Sequence, residues 1–311
     1  MGRLGARMVA TTHLKICVIG LGSMGLGIAG SLLRGGFDVT GCDTMPEAAA
    51  RFAGLGGKVA AGPAAAAEGA DVVISVVVNA EQTEQVLFAN GGAAAAMAPG
   101  GILVSCATMS PDAARGFAAQ AAAMGLGYLD APISGGAVRA AAGELTVMAS
   151  GASDIFARLR PVLNCIAAKV YELGDEAGTG AAFKIVNQLL AGVHIAAACE
   201  AITFAAAMGL DIAKVYEVIT ASAGNSWMFE NRVPHVLEGD YAPRSAVDIF
   251  TKDLGIVTDI GRGLKFPTPV ASMALQMFVM TAAAGMGRDD DASVARMIAE
   301  LAGIALPEKQ T

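Results

Sequence analysis

The sequence predicts an α/β fold, in which a doubly wound parallel sheet is followed by an all-α domain. Short apolar segments typical of buried strands alternate with helical segments over residues 14–177. This alternation indicates a mainly parallel sheet covered by helices. From residue 178 onward the strand pattern stops, and long helical stretches run to the end of the chain. Because 311 residues, 54% of them hydrophobic, suffice for two cores, we expect one domain over residues 14–177 and another over 178–311.

The elements of the first domain follow one another in a regular order. Each predicted apolar strand ends near a glycine or a polar residue. Ser110 precedes Pro111 and is predicted to cap the helix that starts there. The predicted strands are LKICVIG, FDVTGCD, a short segment at Val59, ADVVISVVV, GGILVSCAT, LGYLDAP, LTVMASG and KVYELG.

The amino-acid composition argues against nucleic acid, a membrane or a metal ion as the ligand of this protein. The net charge of −7 offers no basic surface for nucleic acid or an anionic membrane. Five scattered cysteines and three histidines show no metal-ligand spacing, so we predict no metal site and reduced thiols in a cytoplasmic protein. Residues 1–13 lack the apolar core of a secretory signal. The apolar stretch 269–287 is long enough to cross a bilayer, but Gln276 interrupts it, and we expect a buried helix there rather than a membrane span.

A glycine-rich turn follows the first predicted strand. The stretch GLGSMG gives the pattern Gly-x-Gly-x-x-Gly at Gly20, Gly22 and Gly25, between a strand and a helix. Gly20 would allow the tight turn, Gly22 would let the backbone approach a pyrophosphate, and Gly25 would let helix and strand pack closely. This pattern predicts a Rossmann dinucleotide site, the alternative being a βα turn without a ligand. The expected contacts are Gly20, Leu21, Gly22, Ser23, Met24 and Gly25.

Asp43 ends the second predicted strand, 18 residues after Gly25. An acidic residue here accepts hydrogen bonds from the adenosine ribose and disfavours a 2′-phosphate. No arginine follows among Thr44, Met45 and Pro46. We therefore expect NAD rather than NADP as the cofactor; the alternative for Asp43 is a capping residue at the end of the strand.

Further candidates lie where later strands end, since ligands of such sheets bind outside the carboxyl ends of the strands. Val78 and Asn79 follow one strand, and Thr108 follows another. The stretch DAPISGG, residues 130–136, contains a hydroxyl and two adjacent glycines with open backbone N–H groups. This combination resembles a cradle for a carboxylate formed by Ser134, Gly135 and Gly136, although it is equally compatible with a plain turn.

A lysine lies inside the apolar segment that starts at Gly178. Lys184 and Asn187 fall on one helical face, with Gln188 beside them. A lysine in a partly dry cleft has a lowered pKa and can move protons near neutral pH. We therefore predict that Lys184 accepts the hydroxyl proton of an alcohol as hydride leaves; the alternative is a snorkelling lysine at a domain interface. Lys252, beside Asp253, is either part of a solvated ion pair or a residue that closes the site.

Four ordered motifs resemble the β-hydroxyacid dehydrogenase family, the group of 3-hydroxyisobutyrate dehydrogenase. They are GLGSMG, DAPISGG, GDEAGTGAAFKIVNQ and KDLG, and the match extends over nearly the whole chain after residue 13. The resemblance implies a Rossmann domain, a helical domain and homodimers or homotetramers built through the latter. It implies Lys184 as the catalytic lysine, Ser134, Gly135, Gly136 and Asn187 as substrate contacts, and Thr108 and Lys252 near the cofactor. Gln188, which replaces the second Asn of the family motif, is expected as a further substrate contact, and its longer amide reaches further.

Within this family, SAGNSWMFENR at residues 222–232 resembles the branch that oxidises L-threonate, a four-carbon sugar acid, at C2 with NAD. Asn225, Ser226 and Trp227 are expected to contact its additional hydroxyls. We therefore expect an oxidoreductase of carbohydrate acid catabolism. The alternatives are a dehydrogenase of 3-hydroxyisobutyrate or D-glycerate, an NADPH-dependent reductase of glyoxylate or a semialdehyde, and a nucleotide-sensing protein without catalysis.

Overall fold

The computed structural model describes residues 14–309. The chain divides into two compact units between Ala181 and Ala182. The domain boundary drawn from the sequence, at residues 177 and 178, lies close to this division and stays a prediction. Residues 1–13, which the sequence suggests are not a secretory signal, lie outside the described residues.

A parallel sheet forms the centre of the first unit. Its strands in the described chain are β1 (Lys15–Ile19), β2 (Asp38–Cys42), β3 (Lys58–Val59), β4 (Val72–Ser75), β5 (Ile102–Ser105) and β6 (Gly127–Asp130). They lie in the order β3-β2-β1-β4-β5-β6, and every neighbouring pair is parallel. The strand order reverses between β1 and β4, which is the point where such sheets bind ligands. The predicted doubly wound sheet is thereby confirmed.

Both faces of this sheet are covered by helices. Alternate residues of β1 point to opposite faces: Ile16 and Val18 belong to one buried core, while Cys17 and Ile19 belong to another. Ser110 accepts a hydrogen bond from the backbone N–H of Ala113 (3.2 Å), as its capping role predicts. The helices of this unit are α1 (Ser23–Arg34), α2 (Pro46–Gly54), α3 (Pro63–Ala67), α4 (Ala80–Leu87), α5 (Pro111–Ala123), α6 (Gly136–Ala142) and α7 (Ser153–Ile166).

Three later strands form a separate small sheet. They are β7 (Ile133–Ser134), β8 (Leu145–Ala149) and β9 (Ala167–Glu172). β7 is antiparallel to β8, and β8 is parallel to β9. Only Ala131 and Pro132 separate β6 from β7, and a parallel neighbour would need a crossover of about a dozen residues or more. The alternation seen in the sequence therefore continues in this region without extending the main sheet.

The second unit is helical throughout its regular structure. Its core contains Ile195, Ile202, Phe250 and Phe278. α8 starts in the first unit and continues as one helix into the second. The helices are α8 (Thr179–Ala207), α9 (Ile212–Thr220), α10 (Trp227–Glu238), α11 (Val247–Gly263), α12 (Pro269–Thr281) and α13 (Val294–Ala302).

Two described helices are long and apolar enough to cross a membrane by length and composition alone: α8, and the segment Pro269–Met286 that continues α12 through a π-helical turn. Core helices of soluble proteins have the same properties, so the finding is weak support for a membrane protein. The segment is less buried than the sequence suggests, since Val270 and Met273 are exposed. Its buried stripe consists of the small or spaced residues Ala271, Ala274, Phe278 and Thr281.

Candidate active site

The turn between β1 and α1 has the geometry that a phosphate-binding loop requires. Gly20 has a φ of +90°, and a Cβ atom there would lie 2.5 Å from the carbonyl oxygen of Val76. A Cβ atom on Gly25 would lie 1.8 Å from the carbonyl oxygen of Gly20. By contrast, a Cβ atom on Gly22, the N-cap of α1, would meet no atom within 4 Å. The chain therefore leaves open space at a helix N-terminus, where a pyrophosphate fits.

Asp43 lies directly beside this turn. Its carboxylate accepts hydrogen bonds from the backbone N–H groups of Leu21 (2.6 Å) and Met45 (2.7 Å). A carboxylate has about four lone-pair sites, so it can also accept hydrogen bonds from ribose hydroxyls. The same two contacts fix the path of the glycine-rich turn. Asp43 therefore has a local structural role in addition to the predicted role in cofactor binding.

The other predicted cofactor contacts in this unit follow β4 and β5. Ser75 and Ser105 pair in the parallel register, so the two strands end at the same edge of the sheet. Val78 is exposed, and Asn79 caps α4 by accepting a hydrogen bond from the N–H of Gln82 (2.8 Å). Thr108 is half-buried after β5. The residues predicted from the strand ends therefore share the edge that carries the glycine-rich turn.

The predicted carboxylate cradle lies between β7 and α6. Ser134 is half-buried at the end of β7. Gly135 and Gly136 have φ values of +135° and +75°, which side chains rarely adopt. A Cβ atom on Gly136 would meet nothing within 4 Å. The two glycines therefore present backbone N–H groups in an open turn, as an anion-binding concavity requires.

Asp130, in the same sequence motif, has a different position from these three residues. Its buried carboxylate accepts hydrogen bonds from the N–H groups of Gly178 (2.9 Å) and Ala181 (2.8 Å) and from the hydroxyl of Ser150 (3.3 Å). Ser150 in turn accepts a hydrogen bond from the N–H of Gly180 (2.9 Å). Burial raises the pKa of Asp130, although these hydrogen bonds act in the opposite direction. Through these hydrogen bonds the carboxylate of Asp130 binds the N-terminus of α8, where the helix dipole favours a negative charge.

The polar residues of α8 and α11 come together in the second unit. Lys184 and Gln188 are each 7% exposed, and Asp253, on α11, is 1% exposed. The amide nitrogen of Gln188 donates a hydrogen bond to Oδ2 of Asp253 (2.5 Å), and its oxygen accepts one from Asn187 (2.9 Å). Lys252 forms an ion pair with Oδ1 of Asp253 (2.6 Å). Two residues predicted from the sequence, Gln188 and Lys252, therefore contact a carboxylate that was not predicted, and the charge of that carboxylate acts on Lys184.

The surroundings of Lys184 favour a neutral amine. Burial lowers the pKa of Lys184 to about 8, the negative charge of Asp253 opposes this shift, and the positive charge of Lys252 adds to it. A lysine with such a pKa accepts and returns a proton at near-neutral pH. The geometry thus provides a buried proton acceptor within an otherwise apolar helix.

Asp253 could have been found from the helical periodicity of the sequence. Phe250, Leu254 and Val257 form the buried stripe of α11, and position 253 lies on the same face. The ion pair with Lys252 is consequently not a solvated surface pair: the side chains are 21% and 1% exposed.

The segment 222–232 has local structural contacts that its sequence did not suggest. Ser226 caps α10 by accepting a hydrogen bond from the N–H of Phe229 (3.0 Å). The amide nitrogen of Asn225 donates hydrogen bonds to the carbonyl oxygen of Thr220 (3.1 Å) and to Glu230 (2.5 Å). Contacts of these side chains with substrate hydroxyls stay a prediction.

Two known protein families together match almost all of the described chain. Residues 15–174 match the NAD binding domain of 6-phosphogluconate dehydrogenase. Residues 178–298 match a family described as NAD-binding of NADP-dependent 3-hydroxyisobutyrate dehydrogenase.

Individual relatives match over nearly their full length. The chain is 54% identical over 295 residues to an L-threonate dehydrogenase of Cupriavidus necator, covering 95% of this chain and 98% of that one. It is 47% identical over 301 residues to an L-threonate dehydrogenase of Escherichia coli, covering 96% and 99%. A crystal structure described as 3-hydroxyisobutyrate dehydrogenase of Salmonella typhimurium superposes with a TM-score of 0.88 at 49% identity, covering 91% and 99%.

Proposed function

Because the chain belongs to the hydroxyacid dehydrogenase family of 3-hydroxyisobutyrate dehydrogenase, we propose that it oxidises L-threonate at the C2 hydroxyl, with NAD as hydride acceptor and a 2-oxo acid as product. As a member of this family, the chain is an NAD(P)-dependent dehydrogenase of a small hydroxy acid. The substrate, the choice of NAD and the roles of single residues are the proposal. Two relatives at 54% and 47% identity named L-threonate dehydrogenase support the substrate.

The buried amine of Lys184 is the observation that carries the proposed mechanism. A nicotinamide cofactor would supply the acceptor for the hydride of C2. As the C–H bond breaks, the hydroxyl proton passes to the neutral ε-amine of Lys184, and the C–O bond becomes a carbonyl. Since burial lowers the pKa of Lys184 to about 8, a useful fraction of the amine is neutral at physiological pH. In the reverse direction the ammonium returns the proton.

Substrate orientation is assigned to groups that can bind a carboxylate or a hydroxyl. The open backbone at Gly135 and Gly136, together with the hydroxyl of Ser134, would hold the carboxylate. Asn187 is half-buried beside Lys184 on α8 and donates a hydrogen bond to Gln188. Its remaining amide N–H and oxygen would orient the hydroxyl that reacts.

Cofactor binding is assigned to the glycine-rich turn, to Asp43, and to the residues that follow β4 and β5. We propose NAD over NADP because a 2′-phosphate would meet the carboxylate of Asp43. An Asp43→Asn substitution removes the negative charge but keeps one side-chain oxygen that can accept a hydrogen bond from a backbone N–H group. The ratio of kcat/KM for NADP to that for NAD should rise; an unchanged ratio would show that Asp43 does not determine the preference.

The first experiment is a panel of acids assayed with NAD and with NADP by the absorbance of the reduced nicotinamide. L-Threonate should be oxidised with the highest kcat/KM, above D-threonate, D-erythronate, D-glycerate and 3-hydroxyisobutyrate. A Lys184→Ala variant should lose roughly 10²- to 10⁴-fold in kcat, the usual contribution of general acid–base catalysis. It should still bind NADH, which fluorescence titration would show.

The second candidate substrate is 3-hydroxyisobutyrate. It is favoured by the Salmonella structure, which is 49% identical to this chain and carries that description. If the protein oxidises 3-hydroxyisobutyrate with the highest kcat/KM of the panel, the proposed mechanism stands but the assigned substrate changes to that acid. A Lys184→Ala variant with the same activity as the wild type would instead overturn the mechanism itself.

We further infer that the protein assembles as a homodimer or homotetramer through its helical unit. A groove of about 690 Å³ lies among α8, α9 and α10 and is lined mainly by apolar residues, including Ala201, Leu210 and Val218. Met208, Leu210 and Val218 are all about half exposed. A contiguous exposed apolar surface of this kind is typical of an interface. The cytoplasmic location expected from the composition stays a prediction.

A further inference from the structure

We propose that Gln188 and Lys252 together occupy the two carboxylate oxygens of Asp253 and so prevent a direct ion pair between Asp253 and Lys184. Gln188 donates its amide hydrogen bond to Oδ2 of Asp253 (2.5 Å), and Lys252 lies 2.6 Å from Oδ1. Gln188 is then a positioning residue that acts through Asp253. This differs from the substrate contact that its place in the family motif suggests. The inference rests on the proposed role of Lys184.

The packing of α8 against α11 makes this arrangement possible. One turn after Gln188, Gly192 faces Leu254, and a Cβ atom on Gly192 would lie 2.8 Å from that side chain. Such close approach brings the two helices near enough for a glutamine amide to reach Asp253. An asparagine at position 188 would be one methylene shorter, so its amide would end about 1.5 Å short of the same oxygen.

Charge balance explains why the arrangement matters for the reaction. Two charged side chains act on Lys184, both from α11: Asp253, which favours the ammonium, and Lys252, which opposes it. A buried lysine in direct contact with a carboxylate is held in its charged form. By contrast, a carboxylate that accepts a hydrogen bond at Oδ2 from Gln188 and forms an ion pair at Oδ1 with Lys252 acts on Lys184 only through its charge. The amine therefore stays able to accept a proton near neutral pH.

The arrangement predicts shifts of opposite sign for variants of its members. Gln188→Asn and Gln188→Met both free Oδ2 of Asp253, so Lys184 gains a direct partner and holds its proton more tightly. The acidic limb of kcat/KM for hydroxy-acid oxidation, measured at saturating NAD, should move to higher pH by roughly one unit. Asp253→Asn removes the attraction, and the limb should move to lower pH.

A direct readout of Lys184 makes the test independent of the substrate. The protein is labelled with ¹³C at lysine Cε, and the resonance of Lys184 is assigned from its absence in Lys184→Arg. Titration of the unliganded protein should give the same order of midpoints: Asp253→Asn lowest, wild type between, and the Gln188 variants highest. Thr203→Val is the matched control, because Thr203 is also buried on α8 but bonds to the carbonyl oxygen of Cys199 (2.7 Å) within the helix. It should leave the midpoint unchanged.

Two results would overturn the inference. If the Gln188 variants raise KM for the acid while the limb and the Lys184 midpoint stay in place, Gln188 contacts the substrate. If the Gln188 and Asp253 variants move the midpoint in the same direction, or not at all, Asp253 is not shielded as proposed. A Lys184→Ala variant that retains turnover would instead refute the proposed catalytic role, while the titration of Lys184 still decides the arrangement.

Discussion

Burial gives single charged residues of this protein properties that they lack in water. Lys184 is the clearest case, because an ammonium without a direct counterion is costly inside a protein. Its pKa falls to about 8. The same burial that would destabilise a structural lysine therefore makes this one a base.

The pH dependence of oxidation follows from that pKa. The reaction requires neutral Lys184, so kcat/KM should rise about tenfold per pH unit below the pKa and level off above it. The reverse reduction requires the ammonium, so its rate should fall over the same pH range. Initial rates from pH 6 to 10 in buffers of constant ionic strength test both directions. Equal and pH-independent rates would contradict the role of Lys184.

The residues of the site differ in how far the sequence could predict them. Lys184 stood out because a cation in an apolar helix requires an explanation, and the glycines stood out by their spacing. Asp253 did not, since a carboxylate beside a lysine in sequence usually forms a solvated pair. The apolar stripe of α11 at Phe250, Leu254 and Val257 predicts that position 253 is buried, but only the packing of α11 against α8 shows which groups its carboxylate meets. Which of Gln188, Asn187 and Lys252 contacts Asp253 depends on distances in the folded protein, and the spacing of residues along the sequence does not give them.

At the scale of elements, the turn between β1 and α1 separates a packing role from a binding role. Gly25→Ala should destabilise the fold by about 3 kcal/mol, because the new methyl group would overlap the carbonyl of Gly20. Gly22→Ala should fold normally, because its methyl group would enter open space.

The two variants form a matched pair, measured by thermal unfolding and by NADH titration. Gly22→Ala should weaken NADH binding by about 1–3 kcal/mol, the usual cost of an overpacked contact. That corresponds to roughly 5- to 150-fold in Kd. A Gly22→Ala protein that binds NADH like the wild type would show that the phosphates do not lie at this position.

The start of α8 depends on Asp130. Asp130→Ala should lose about 3 kcal/mol of stability, because it leaves the backbone N–H groups of Gly178 and Ala181 without their acceptor. Asp130→Asn keeps one acceptor oxygen and should lose less. Asp112→Ala is the control, since Asp112 is exposed on α5 and forms an ion pair with Arg115 on the same helix. Equal melting temperatures for Asp130→Ala and Asp112→Ala would contradict this role.

Elements with strong periodicity were predictable, and elements defined by their neighbours were not. β1, β4 and β5 could be read from apolar runs, because a strand buried on both faces is apolar at nearly every position. β8 and β9 look similar to these strands in sequence, yet they lie in another sheet, whose third strand, the two-residue β7, was predicted as a turn. α12 looks buried because it lacks charges, but only one stripe of it reaches the core.

For the whole molecule, the groove among α8, α9 and α10 predicts self-association. Light scattering after size exclusion should give about two or four times the chain mass of 31.2 kDa. Val218→Glu places a charge in the groove and should lower that mass. Val59→Glu, an exposed apolar position on β3, is the control and should leave it unchanged. A monomeric wild type would refute the proposed assembly.

The order of synthesis leaves α8 without its partner α11 for a time. α8 ends at Ala207, and its partner α11 starts at Val247, so the 39 residues between them must be made before that partner begins to appear. At a bacterial or eukaryotic rate of about 5–20 residues per second, this takes roughly 2–8 s. The strands β1 to β6 are complete long before then. A nascent chain therefore carries a finished sheet and an uncovered apolar helix at the same time, which makes the helical unit the part that needs chaperones or slow, cool expression.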